Sequence, residues 1–122
     1  MDRRFLAIHY ASPCFYACGW EHGRHSESRS TDDVVTARKN IVAILGRYDT
    51  LAVWTSETLH QALADIEGFG DLVPTTVVEV LPLVKARGWP GNVNGVYEVN
   101  GWSWNETGPA VRLARVAAAV MV

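Results

Sequence analysis

Three short apolar runs alternate with two amphipathic helical stripes, and that alternation constrains the fold more than any other feature of the chain. Residues 4–10 (Arg-Phe-Leu-Ala-Ile-His-Tyr) and 51–55 (Leu-Ala-Val-Trp-Thr) are nearly continuous in apolar character, as strands covered on both faces are. Residues 75–81 are rich in β-branched side chains, and Pro82 then removes a ladder donor, so this third strand ends there or lies at an edge. Between the first two runs, Ser30 or Thr31 can cap a helix with Asp32 and Asp33 at its positive end, a stripe of Val34, Val35, Ile41, Val42 and Leu45, and Gly46 as terminator. Ser56 opens a second helix with Leu59, Ala62, Leu63 and Ile66 on one face and Gly68 at its close. A third helix is expected after Thr107-Gly108-Pro109, because proline suits a first turn and alanines favour continuation. It is apolar to its last residue, so it packs along the sheet or is shared with a second copy in a homodimer.

The decapeptide 96–105 carries the strongest local turn signal. Asn100-Gly101 between two alternating runs predicts a type I′ hairpin, with Tyr97, Val99, Trp102 and Trp104 on one face and Glu98 and Ser103 on the other. The glycine-rich stretch 88–95 reads as consecutive turns leading into it. The expected order is β-α-β-α-β, then a hairpin and a C-terminal helix. That places the chain in the α+β class, as an α/β two-layer sandwich forming one domain over residues 1–122.

With 122 residues, the chain is long enough to bury about two-thirds of its unfolded surface. It has no apolar stretch near the ~20 residues that span a bilayer, and its opening Met-Asp-Arg-Arg-Phe lacks the pattern of a secretory leader, so a cytoplasmic protein without a membrane role is expected. Two cysteines are too few for a disulfide framework and are expected reduced. A net charge of −2 gives no reason to expect direct nucleic-acid binding. The distribution says more: no lysine or arginine lies between Arg47 and Lys85, where Asp49, Glu57, Asp65, Glu67, Asp71 and Glu79 all occur.

Chemistry-bearing residues collect at 12–25. The spacing Cys14-x3-Cys18-x3-His22-x2-His25 uses zinc-ligand residue types, although familiar fingers place a longer loop between ligand pairs. Ser12, Pro13 and Gly19 read as cap, first turn and terminator of a short helix bearing both cysteines. One alternative is therefore a zinc-dependent or thiol enzyme centred on Cys14, Cys18, His22 and His25, with His9 as a further possible base and no oxyanion hole or orienting carboxylate identified. No phosphate loop or carboxylate pair is legible, and His60 reads as a surface residue.

The favoured expectation is a small non-enzymatic binding module with no cofactor. Its partner surface comprises the acidic residues Glu57, Asp65, Glu67 and Asp71 and the loop aromatics Trp20 and Trp89, facing a protein with a basic surface. Size and charge layout suit a phage or mobile-element inhibitor, anti-CRISPR-like in character, that occludes a nucleic-acid-binding groove of a host defence protein. A homodimeric regulatory protein joined through the C-terminal helix is the remaining alternative.

Overall fold

A computed structural model describes residues 4–74, 76–103 and 108–121. The chain opens with a three-stranded antiparallel meander: β1 (Phe5–Ala11), β2 (Cys14–Glu21) and β3 (Arg24–Thr31). Helix α1 (Val34–Ile44) and a 3-10 turn (Leu45–Arg47) lead to β4 (Thr50–Val53). Then follow α2 (Ser56–Asp65), the single turn α3 (Phe69–Leu72) and β5 (Thr76–Glu79). Helices α4 (Val80–Ala86), α5 (Val93–Asn100) and α6 (Pro109–Val120) complete the order. The strands form one mixed sheet in the order β3-β2-β1-β4-β5, with β4 and β5 parallel to β1.

The mixed α+β class holds, and the helices cover both faces of the sheet, so the sheet is a middle layer. Alternation along β1 decides this. Leu6, Ile8 and Tyr10 join Ile41, Ile44, Ala62, Ile66 and Phe69 beneath α1, α2 and α3. Phe5 and Ala7, with Cys18 from β2 and Ala52 from β4, pack under α4, α5 and α6. Central strands apolar on both sides are what two covering layers require. The expected C-terminal helix is present, and Ala114, Val116 and Ala117 are fully buried against the sheet. Its apolar end is therefore covered within the chain, which removes the reason for giving it to a second copy.

Two expectations about local structure are corrected. The segment bearing both cysteines is strand β2, because every residue from Cys14 to Trp20 finds a partner on β1; pairing with a distant strand outweighs the local proline and glycine punctuation. The hairpin expected at Asn100-Gly101 is the end of helix α5. Gly101 takes φ 63°, Trp102 N–H donates to Tyr97 C=O at 3.0 Å and Gly101 N–H to Glu98 C=O at 3.1 Å, a glycine-terminated helix closure. A left-handed Gly serves a helix end and a hairpin equally well. Asn92 then caps the start of α5, its side chain accepting from Gly95 N–H, so of the stretch expected as consecutive turns, residues 93–95 form the first turn of a helix. Trp104 lies outside the described residues. The true two-residue hairpin with positive φ at both central positions is His22-Gly23, between β2 and β3 (φ 56° and 76°).

Strand β3 has no counterpart in the sequence reading. Its Arg-His-Ser-Glu-Ser-Arg-Ser-Thr is largely exposed, as suits an edge blunted by charge. It is fastened from the α1 side: Tyr48 donates its hydroxyl to Glu27 at 3.0 Å, and Arg47 pairs with the same carboxylate at 3.0 Å. Pairing on β2 brings Gly19 opposite Glu27, where Tyr48 lies over it. A Cβ at Gly19 would collide with Tyr48 Oη and sit 2.7 Å from Tyr48 Cζ and 2.8 Å from Ser26 Oγ. Gly19→Ala is expected to cost about 1–3 kcal/mol by overpacking. Gly46→Ala, where a Cβ meets nothing within 4 Å, is the matched control. Paired thermal melts check this, and equal melting temperatures would refute the close approach of Tyr48.

Candidate functional site

The acidic residues expected to meet a partner lie on the outer layer. Glu57 sits in the first turn of α2, where the helix dipole favours it, Glu67 follows α2, and Asp71 is in α3; all three are exposed. Asp65 is also exposed, but it accepts the Tyr10 hydroxyl at 2.7 Å and so ties α2 to β1. That contact contributes to holding the Tyr10 phenol above its ordinary range, after burial as the first cause. Helix α2 is further positioned from β5, where Glu79 accepts from Ser56 N–H at 2.6 Å.

The same layer carries side chains that periodicity assigned to the core. Ala37, Ile41 and Ile44 form the buried stripe of α1, whereas Val35 and Val42 are 60% and 58% exposed. Leu63 on α2 is 42% exposed. The missed signal is the spacing: positions 35 and 42 are two turns apart on the side of α1 that faces away from the buried row of Ala37, Ile41 and Ile44. Helix α3 packs against both α1 and α2, so these residues and the carboxylates belong to one helical layer. Arg38 reaches toward Gly68, placing a guanidinium at the margin of the acidic set.

The two tryptophans are anchored within the fold. Trp20 is a strand residue of β2 and stacks on Phe5 with ring centroids 6.4 Å apart. Trp89 does lie in a loop and meets Trp102 edge-on at 6.5 Å, with the Arg87 guanidinium 5.4 Å from its ring centre. Trp102 in turn meets Tyr97 at 5.3 Å and lies 4.7 Å from the Arg115 guanidinium. On the α4–α6 side the rings meet edge to face and arginines lie over them, so Trp89 packs within the fold.

The residues of the zinc and thiol alternative are spread along a hairpin. Cys14 and Cys18 lie on one face of β2, four residues apart, which is about 13 Å on an extended strand. His22 and His25, with Glu21 and Arg24, rim a hollow at the β2–β3 turn, at the opposite end of β2 from Cys14. Among the described residues, no group of three or more His, Cys, Asp or Glu side chains is placed to hold a metal ion. Cys18 is fully buried, and burial, then the Glu27 charge, pushes its thiol up to about 12. Its sulfur is protonated at neutral pH and correspondingly weak as a nucleophile. Cys14 is half-buried. His60 is exposed on α2, as expected.

Comparison with protein-family models, with curated protein sequences and with solved structures returns no match for the chain. Among the described residues, no helix is long and apolar enough to cross a membrane.

Proposed function

We propose that the chain is a non-catalytic protein-binding module whose partner docks on the layer formed by α1, α2 and α3. The observation that carries this reading is the coincidence of exposed apolar and acidic side chains on one helical layer. Of the four large hydrophobic residues exposed among those described, Val35, Val42 and Leu63 lie on this layer, together with Glu57, Glu67 and Asp71. Exposed apolar side chains on a layer that also carries exposed charges are the material from which protein interfaces are built. The carboxylates favour a partner that is basic opposite α2 and α3, and a nucleic-acid-binding protein of a host defence complex has such a surface. Arg38 and Lys39 on α1 give the other half of the layer the opposite sign, which fixes the orientation of docking.

The test is affinity capture from a lysate of the source cell, with partners identified by mass spectrometry. Glu57→Lys/Glu67→Lys/Asp71→Lys is expected to lose the basic partners, and Leu63→Asp to weaken capture without changing its salt dependence. An unchanged set of partners for both variants, at low and raised salt, overturns the reading. Asp65 is left intact because its bond to Tyr10 has a structural role.

A further inference from the structure

Strand β3 closes one side of the sheet and pairs on one flank only, with β2. In an antiparallel strand about half of the backbone N–H and C=O groups then point away from the sheet. Folded chains blunt such an edge by keeping it short, by proline or by covering it, and among the described residues β3 shows none of these. It runs for eight residues without proline, about 27 Å, and its pairing is regular from Glu27 to Thr31. Charge is the one device it uses, and that charge is mostly positive.

The register on β2 assigns the side chains of β3 to the two faces of the sheet. Glu27 and Arg29 lie opposite Gly19 and Ala17, on the α1 side, and Ser28 and Ser30 lie opposite Cys18 and Tyr16, on the α6 side. Arg24 is opposite Glu21, two residues along β2 from Gly19, and so belongs to the α1 side as well. The Glu27 carboxylate is already held by Tyr48 and Arg47. Arg24 and Arg29 are exposed, and neither has an ion pair among the described residues. Asp32 and Asp33 lie past the end of the strand, and Asp33 is taken up by the first amides of α1. On the α6 side, hollows of about 190 and 330 Å³ adjoin at Val111 and run beside β3. Their walls include Tyr16 and Trp20 from β2 and Ala110 and Val111 from α6, a lining for small apolar side chains.

We infer that β3 takes up one more strand, an extended acidic segment of a partner protein in which carboxylates alternate with small apolar residues. The backbone of that segment continues the ladder beyond β3. Its carboxylates meet Arg29 and Arg24, and the residues between them turn into the hollows beside Val111. A second copy of this chain is a poorer occupant, since it brings two further arginines without ion pairs and a glutamate that Tyr48 and Arg47 already hold. The edge is separate from Glu57, Glu67 and Asp71, whose charge suits a basic partner.

The experiment titrates isotopically labelled protein with an end-capped octapeptide of alternating Glu and Val, followed by amide NMR signals. Saturable shifts are expected along residues 24–31 and at Val111, and a Lys-Val counterpart is expected to give none. Two further Glu-Val peptides, N-methylated along one edge or along the other, test the pairing itself. One is expected to bind and the other to fail, because only one edge of the peptide meets β3. Arg24→Glu/Arg29→Glu is expected to weaken binding by about tenfold, two cross-strand attractions having become repulsions. Lys85→Glu, a charge reversal at an exposed position on α4, is expected to leave it unchanged. The unliganded spectrum of each variant reports whether it has folded. Absence of saturable shifts at millimolar peptide, equal binding of the Lys-Val peptide, or the same result with both methylated peptides would each overturn the assignment. Shifts at residues 24–31 on raising the concentration of the protein alone would give the edge to a second copy and overturn the choice of partner.

Discussion

Deleting residues 116–122 is expected to abolish cooperative folding. Helix α6 crosses the central strands of the sheet and roofs Phe5, Ala7 and Cys18. The deletion removes Val116 and Ala117, both fully buried, and Val120 and Met121, each 6% exposed. Burial of a side chain the size of Val or Met contributes about 1.5–3 kcal/mol, so the three larger ones together contribute roughly 5–9 kcal/mol. A domain of this size has only about 5–15 kcal/mol in total, and the uncovered side of the sheet would add a further penalty. Circular dichroism should show a shallow, non-cooperative melt, with strong dye binding to exposed apolar surface. A sharp transition within a few degrees of the intact protein would show that α6 is an accessory helix. This outcome also separates the fold from the homodimer alternative, in which the same deletion yields a well-folded monomer by sizing chromatography.

How much of this architecture the sequence announces depends on where each element takes its stability. Strands β1 and β4 were legible because they are central and must be apolar on both sides, and β5 because β-branched residues run into Pro82, which the structure places in the first turn of α4. Helices α1, α2 and α6 declared themselves through apolar residues at helical spacing and the proline at the start of α6, whereas the cap of α1 is Asp33 and the expected Ser30 and Thr31 belong to β3. Strand β2 did not, since its identity is decided by pairing with β1, a partner that no local pattern names. The edge strand β3 carries no periodicity because little of it is buried, and α5 was disguised by a glycine that two different structures use alike. The candidate surface was legible in its charges and not in its apolar part. Val35 and Val42 are hydrophobic residues on an amphipathic helix, and the packing turns the opposite side of α1, with the small residue Ala37, into the core. The hollows between β3 and α6 join residues from distant parts of the sequence, so their composition could not be assembled from the chain alone.

The second large effect expected is a steep loss of stability in alkali that traces to one sulfur. Cys18 is fully buried, and its thiol is pushed from 9.0 to about 12 by burial and then by the Glu27 charge. Below pH 9 the thiol is protonated in folded and unfolded chains alike, and its ionisation does not affect stability. Between pH 9 and 12 the unfolded chain releases a proton that the folded chain retains, so stability falls with rising pH by about 1.4 kcal/mol per unit, or about 4 kcal/mol across the window. Tyr10 and Tyr48, both raised by burial first, act with the same sign above pH 10. Urea midpoints at pH 8, 9 and 10 isolate the thiol, because the phenols contribute least there. Cys18→Ala starts from lower stability, having lost a buried sulfur, yet it should decline less steeply over that interval. Thiol labelling gives an independent reading: Cys14, half-exposed, reacts directly in the native protein, and Cys18 reacts only at the rate of unfolding. Parallel stability curves for the two proteins, or two thiols labelled at similar native rates, would mean that Cys18 is not sealed beneath α6.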